Sequence, residues 1–289
     1  MKLATVNHNG KIKAGVIIGD EFVCCVDGER ADMAVLSIIR NGDTKSWEAL
    51  VNTAERIDIG DIQILAPIPH LIRDMVCVGK NYYAHAKEFF DSGFDATQKE
   101  TIPSEPIIFT KAMTSLVGPN DAIDSSIDPT HSVDYEGELG VIISKTARRV
   151  AKADWQDYVF GYVIINDVTS RELQKKHNQW TIGKGLDTFG PMGPYIVTKD
   201  EIDDLPSMQI QTLVNNEVRQ QAEVRDLIFD IPTLIETLTL TGTLLAGDII
   251  ATGTPVGVGI GFTPPKFLKS GDIVTIKVTG LGSLTNPVI

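Results

Sequence analysis

Eleven consecutive residues, VDYEGELGVII (133–143), constrain this chain more than any other stretch. Their second half is an apolar run of strand formers, yet the first half carries Asp134, Glu136 and Glu138, and acids are poor strand formers. Successive side chains on an extended chain alternate between faces, so the three acids share one face and Tyr135, Leu139 and Val141 the other. Carboxylates two residues apart lie about 7 Å from each other at a rise of ~3.3 Å per residue. At an effective dielectric near ~20 two such charges repel by about 2 kcal/mol. Either the strand runs along a solvated edge, where acids are common, or something cationic sits against it.

Residues 2–26 read as three short strands broken at HNG and GD, and two amphipathic helical patterns follow at about 31–41 and 44–56. This predicts a small N-terminal α+β domain over residues 1–70. The segment LAPIPHLIRD (65–74) holds two prolines within three residues and marks a boundary. Beyond it, short β-rich runs at 75–78, 106–110, 138–143, 158–165, 193–197, 208–214, 248–252 and 273–278 outnumber helical patterns at 82–91, 169–177 and 231–239. The fold class expected is α+β, mostly β, with the larger body over 71–289.

A second acidic clue lies in YVFGYVIINDVTSRELQKKH (158–177), where a continuous apolar run stops at Asn166 and Asp167 and a helix start follows. An Asp at such a place is commonly a turn former, and strand ends are also where functional groups sit. Together Glu136, Glu138 and Asp167 would form an all-oxygen set, with no Cys and no necessary His, suited to Mg²⁺, Mn²⁺ or Ca²⁺.

In VGKNYYAHAKEFF (78–90) a helix over 82–91 places His85 and Glu88 three residues apart on one face. A carboxylate beside an imidazole holds its tautomer, which a general base requires, although the same pair also occurs as ordinary surface. The polar stretch DSGFDATQKETIPSEP (91–106) has the length and composition of a lid. TPVGVGIGF (254–262) is glycine-rich, but Pro264 and Pro265 stand where a phosphate-capping helix would begin, which argues against a nucleotide loop.

Charge and cysteine usage exclude several classes. A formal net charge of -12 with pI near 4.8 repels phosphate backbones and anionic lipid, so neither nucleic acid nor a membrane is an expected partner. Cys24, Cys25 and Cys77 form no disulfide framework and no metal knuckle. No apolar run matches a signal peptide or the ~20 residues of a membrane span. A cytoplasmic location is expected.

Five segments in this order, GKNYYAHAKE, DYEGELGVII, GYVIINDVTSRELQ, GKGLDTFGPMGP and ATGTPVGVG, resemble the fumarylacetoacetate hydrolase family over roughly residues 73–289. The resemblance implies a mixed β-sandwich roll that binds Mg²⁺ or Mn²⁺ through Glu136, Glu138 and Asp167, which would supply the cation the acidic strand demands. It implies a small-molecule 2-oxo acid substrate whose carboxylate and keto oxygens meet the metal, followed by cleavage of the adjacent carbon–carbon bond through a pyruvate-type enolate. Acylpyruvate or diketo acid hydrolysis and oxaloacetate decarboxylation lead; isomerisation or decarboxylation of 2-hydroxy-dienoates is the alternative. A non-catalytic metal-binding β protein would keep the acids but need neither His85, Glu88 nor Lys184. By the same resemblance Lys184 adds positive charge, His85 with Glu88 activates water, and Gln174 and Thr254 contact substrate. Arg171 is expected in a structural ion pair, and a homodimer is expected from the family.

Overall fold

A computed structural model describes residues 1–95 and 101–289. One twelve-stranded sheet runs through the molecule, ordered Arg56–Asp58, Glu21–Asp27, Lys11–Ile18, Lys2–His8, Gly190–Thr198, Val159–Asn166, Gly137–Ile143, Ile249–Ala251, Met75–Gly79 and Ile107–Lys111, with two short strands off this path. A second, antiparallel sheet of four strands is ordered Glu217–Glu223, Gln209–Val214, Ile273–Val278 and Gly282–Pro287. The chain is mixed α+β and mostly sheet, as the sequence predicts.

The central strands Gly137–Ile143 and Val159–Asn166 are buried at every position. Leu139, Val141, Ile143, Tyr162 and Ile164 pack with Ile210, Val214, Val274, Ile276 and Leu284 of the smaller sheet. Ile142, Val163 and Ile165 turn the other way, into a core shared with Val35, Leu36 and Ile39 of the helix Ala34–Asn41 and with Trp47. Burial on both faces explains why these strands read as continuous apolar runs rather than as an alternation. Leu139→Ala should therefore cost about 2–5 kcal/mol of stability, measurable as a lowered urea midpoint at unchanged slope.

The N-terminal strands form a meander whose first turn, Asn9 and Gly10, has positive φ at both residues (53° and 80°). That is the tight hairpin the HNG signal predicts. The meander continues the large sheet, because Lys2 and Leu3 pair with Val197 and Ile196. Helices form over Tyr83–Asp91, Arg171–His177 and Ile231–Thr241, close to their predicted spans. The predicted helix at 44–56 stops at Leu50. Part of the predicted lid, residues 96–100, lies outside the described residues. No described helix is long and apolar enough to cross a membrane.

Candidate metal centre and its surroundings

Strand register brings the acids together. Gly137 pairs with Asn166 and Glu138 with Ile165, while Asp167 N–H donates to Glu136 O at 2.9 Å and Glu136 N–H to Asn166 Oδ1 at 3.0 Å. Oxygens of Glu136, Glu138 and Asp167 consequently lie within 4.8 Å of one another, and all three residues are buried. The solvated-edge alternative does not hold.

Cations surround this cluster. Lys184 Nζ sits 2.8 Å from Glu136 Oε2 and 2.7 Å from Asp167 Oδ2. Arg171 bridges Glu136 (Nη1, 2.7 Å) and Asp134 (Nε, 2.9 Å), a contact made possible by the short antiparallel pairing of Thr169–Ser170 with Val133–Asp134. Lys111, fully buried at the end of the Ile107–Lys111 strand, faces Asp167 Oδ1 at 2.9 Å and donates to the carbonyls of Val168 and Lys184. Four carboxylates (Asp134, Glu136, Glu138, Asp167) thus meet three side-chain cations. Among the described residues Glu138 makes no ion pair and accepts one hydrogen bond, from Gly253 N–H at 2.8 Å.

The electrostatics follow this imbalance. Burial, reinforced by the neighbouring Asp167 and Glu136 carboxylates, pushes Glu138 well above the usual carboxylate range. Burial alone would do the same to Glu136, but Lys184, Arg171 and His85 hold it down at about 2. Burial depresses the Lys111 ammonium, while Asp167 and Glu136 more than offset burial at Lys184. Asp167 is held on both oxygens, Oδ1 by Lys111 at 2.9 Å and Oδ2 by Lys184 at 2.7 Å, which leaves Glu138 as the member of the cluster without a cation. A buried carboxylate with no cation of its own, in an all-oxygen cluster of four acids against three side-chain cations, fits a hard divalent cation.

Because Glu138 must lose its proton to accept such a cation, binding should release protons. Affinity for Mn²⁺ should therefore rise with pH, approaching tenfold per unit while Glu138 is protonated. Calorimetry in two buffers of different ionisation enthalpy would measure the release. The sign for stability is opposite: a carboxyl raised in the folded state favours the metal-free protein most below its unfolded value of about 4.3, and that contribution fades as pH rises towards the folded pKa.

His85 and Glu88 lie on the helix Tyr83–Asp91, with Nδ1 and Oε2 3.1 Å apart. Glu88 also accepts the Gly257 N–H at 3.0 and 3.2 Å. His85, Glu136, Arg171, Gln174, Lys184 and Thr254 line one pocket, whose remaining free space of about 10 Å³ is room for about one water. Phe89, Phe109 and Trp180 form its apolar wall, with ring centroids 5.8 and 5.2 Å from Trp180.

The structure refines several expected roles. Thr254 lines the pocket, and its Oγ1 donates to Gly137 O at 3.0 Å and accepts from Gln220 Nε2 at 2.8 Å, which ties it to the strand that carries Glu138. Arg171 makes the structural ion pairs expected of it, yet its Nη2 is buried without a partner. Gln174 Oε1 accepts from Arg171 Nη1 at 3.3 Å. Sequence reasoning missed Lys111 and Gln220. Gln220 also accepts from Gly137 N–H, between the two glutamates, at 3.0 Å, and donates to Pro255 O at 2.7 Å. The polar strand carrying it shows itself only by the Asn215-Asn216 turn before it, both residues at positive φ.

A twelve-stranded mixed sheet carrying a buried carboxylate triad at one strand end, with a histidine–glutamate helix beside it, defines the class. Over residues 74–289 the chain matches the family described as fumarylacetoacetate (FAA) hydrolase C-terminal, and it belongs to that enzyme family. An oxaloacetate tautomerase, YisK of Bacillus subtilis (strain 168), is 41% identical over 309 aligned positions, covering 100% of both chains. A fumarylacetoacetate hydrolase from the psychrophilic Exiguobacterium antarcticum has the same fold at TM-score 0.86 and 37% identity, over 100% of this chain and 99% of that one. Maleylpyruvate hydrolase from Sphingobium sp. SYK-6, in complex with manganese(II) and pyruvate, gives TM-score 0.79 at 31% identity over 100% and 99%.

Proposed function

We propose that this protein performs enolate chemistry on a short 2-oxo acid with Mg²⁺ or Mn²⁺ held by Glu136, Glu138 and Asp167. Keto–enol interconversion of oxaloacetate is the first reaction. The carrying observation is a carboxylate cluster short of one positive charge, in the same pocket as an imidazole backed by a carboxylate. The full-length likeness to an oxaloacetate tautomerase supports the choice of substrate.

A bound divalent cation would supply the charge that draws in the carboxylate and keto oxygens of the acid and stabilises the enolate form. Lys184 adds a second positive charge at the same place, and the unpartnered Arg171 Nη2 is a donor for the substrate carboxylate. Gln174, fixed against Arg171, bounds the other side of the pocket. His85, with Nδ1 turned to Glu88, has Nε2 left for the substrate. Taking a proton from C3 of the keto form and returning one to the C2 oxygen interconverts the tautomers, with only C–H and O–H bonds exchanged.

The His85–Glu88 pair also favours a second reading, hydrolysis of acylpyruvates, in which Nε2 deprotonates a water that attacks the distal carbonyl and the pyruvate enolate departs. Decarboxylation of oxaloacetate passes through the same enolate without that water. A homodimer belongs to the proposal on the family resemblance.

The test is a panel of oxaloacetate, acylpyruvates, maleylpyruvate and a 2-hydroxy-dienoate, assayed with Mg²⁺, Mn²⁺ and chelator. Accelerated decay of the oxaloacetate enol band, lost with chelator and restored by metal, is expected. Turnover of acylpyruvate alone would leave the second reading. Metal binding without turnover of any member would overturn both.

A further inference from the structure

The glycine-rich loop after Thr254 lacks the helix a phosphate site needs, yet its main-chain N–H groups do meet anions, and both belong to the chain itself. Gly257 N–H donates to Glu88 at 3.0 and 3.2 Å, while Gly259 and Ile260 N–H donate to Asp134 at 2.6 and 3.2 Å. Asp134 in turn holds Arg171, and Arg171 holds Glu136. One loop therefore ties the base-bearing helix to the strand that carries the carboxylate cluster.

Three glycines punctuate this loop, and two have backbone reasons to be glycine. Gly257 has φ +108° and lies against the Arg219 carbonyl; a β-carbon on Gly259 would stand 2.5 Å from Lys266 O. Gly261 has neither demand. Its φ lies outside the left-handed region, it is exposed, and the three nearest atoms to an added β-carbon all belong to Glu88: Cδ at 2.5 Å, Cγ at 2.8 Å and Oε1 closer still.

We propose that Gly261 is a positioning residue for the His85–Glu88 pair. The missing side chain at 261 is the seat of the Glu88 carboxylate, and the loop fixes that carboxylate against His85 Nδ1. This rests on the reading of His85 as the base. A glutamate on a helix samples several rotamers, and a helical His–Glu pair at i, i+3 is by itself only a weak restraint on them. A backbone N–H on a charged acceptor holds more strongly than that pair, so the seat selects the rotamer that faces the imidazole.

Gly261→Ala tests this directly. The methyl displaces only the far end of a flexible side chain, so the variant should fold, with Mn²⁺ and oxalate affinities within about threefold of the parent. Amide exchange over 255–262 should quicken as Gly257 loses its acceptor, to the level seen in Glu88→Ala. With oxaloacetate, kcat should fall about 10- to 100-fold at nearly constant KM, a share of the ~10² to 10⁴ a general base contributes. Adding Gly261→Ala to Glu88→Ala should change neither exchange nor rate further.

Full protection of Gly257 in Gly261→Ala, effects that multiply with those of Glu88→Ala, or a loss that comes through Mn²⁺ affinity would each overturn the proposal. So would a Gly261→Ala chain that misfolds, and the double variant, with the glutamate gone, should fold as the parent does. If the parent turned over no 2-oxo acid, the proposed function would fail, while the exchange comparison would still decide whether Gly261 seats Glu88.

Discussion

Glu138→Gln and Asp167→Asn are each expected to give a folded protein that has lost tight Mn²⁺ binding and, with it, turnover. The loss of affinity should exceed the ~10- to 100-fold that follows removal of a group merely supporting a metal ligand. Stability should move the other way for Glu138→Gln. Its carboxyl is raised by burial and by two neighbouring carboxylates, and an amide removes that repulsion, so the metal-free variant should melt no lower than the metal-free parent. Saturating Mn²⁺ at about 100 times its Kd should stabilise the parent by about 2.7 kcal/mol and leave the variant unmoved. Paired melting curves with and without Mn²⁺ make the measurement; a variant stabilised as much as the parent would remove Glu138 from the ligand set.

His85→Ala should separate binding from chemistry. Oxalate offers two cis oxygens and delocalised charge like the pyruvate enolate, and it should inhibit the parent by competing at the cluster. The alanine variant should keep Mn²⁺ and oxalate affinity within a few fold, because the imidazole lies on the helix and not among the clustered carboxylates. Its kcat for proton transfer should drop by about 10² to 10⁴. Decarboxylation of oxaloacetate, needing no activated water, should fall less than acylpyruvate hydrolysis in this variant. Equal losses in every reaction would mean that His85 closes the pocket or holds substrate and does not act as base.

How much of this was legible in the sequence depends on what each side chain faces. Strands buried on both sides, such as Val159–Asn166, announce themselves as apolar runs, and the acids at 136, 138 and 167 stand out because nothing apolar explains them. The i, i+3 spacing of His85 and Glu88 needs only a helix to become a contact. Lys111 and Gln220 carry no comparable mark. A lysine ending a strand and a glutamine in EVRQQAE look solvated, and only the three-dimensional fold shows both to be fully buried. Thr254 stands out in its motif, but its bonding does not, since its partners Gly137 and Gln220 lie 117 and 34 residues away.

The family match begins at residue 74, but the sheet does not. Strand Gly190–Thr198 lies between Val159–Asn166 and Lys2–His8, so the N-terminal meander is what keeps it from being an exterior edge. Residues 71–289 alone would present a strand with free N–H and C=O groups and a bare apolar face where Leu36, Ile39 and Trp47 now pack. Such an edge recruits another chain's strand. The first seventy residues supply no group to the pocket, yet they cover both the strand edge and the apolar face of the part that does.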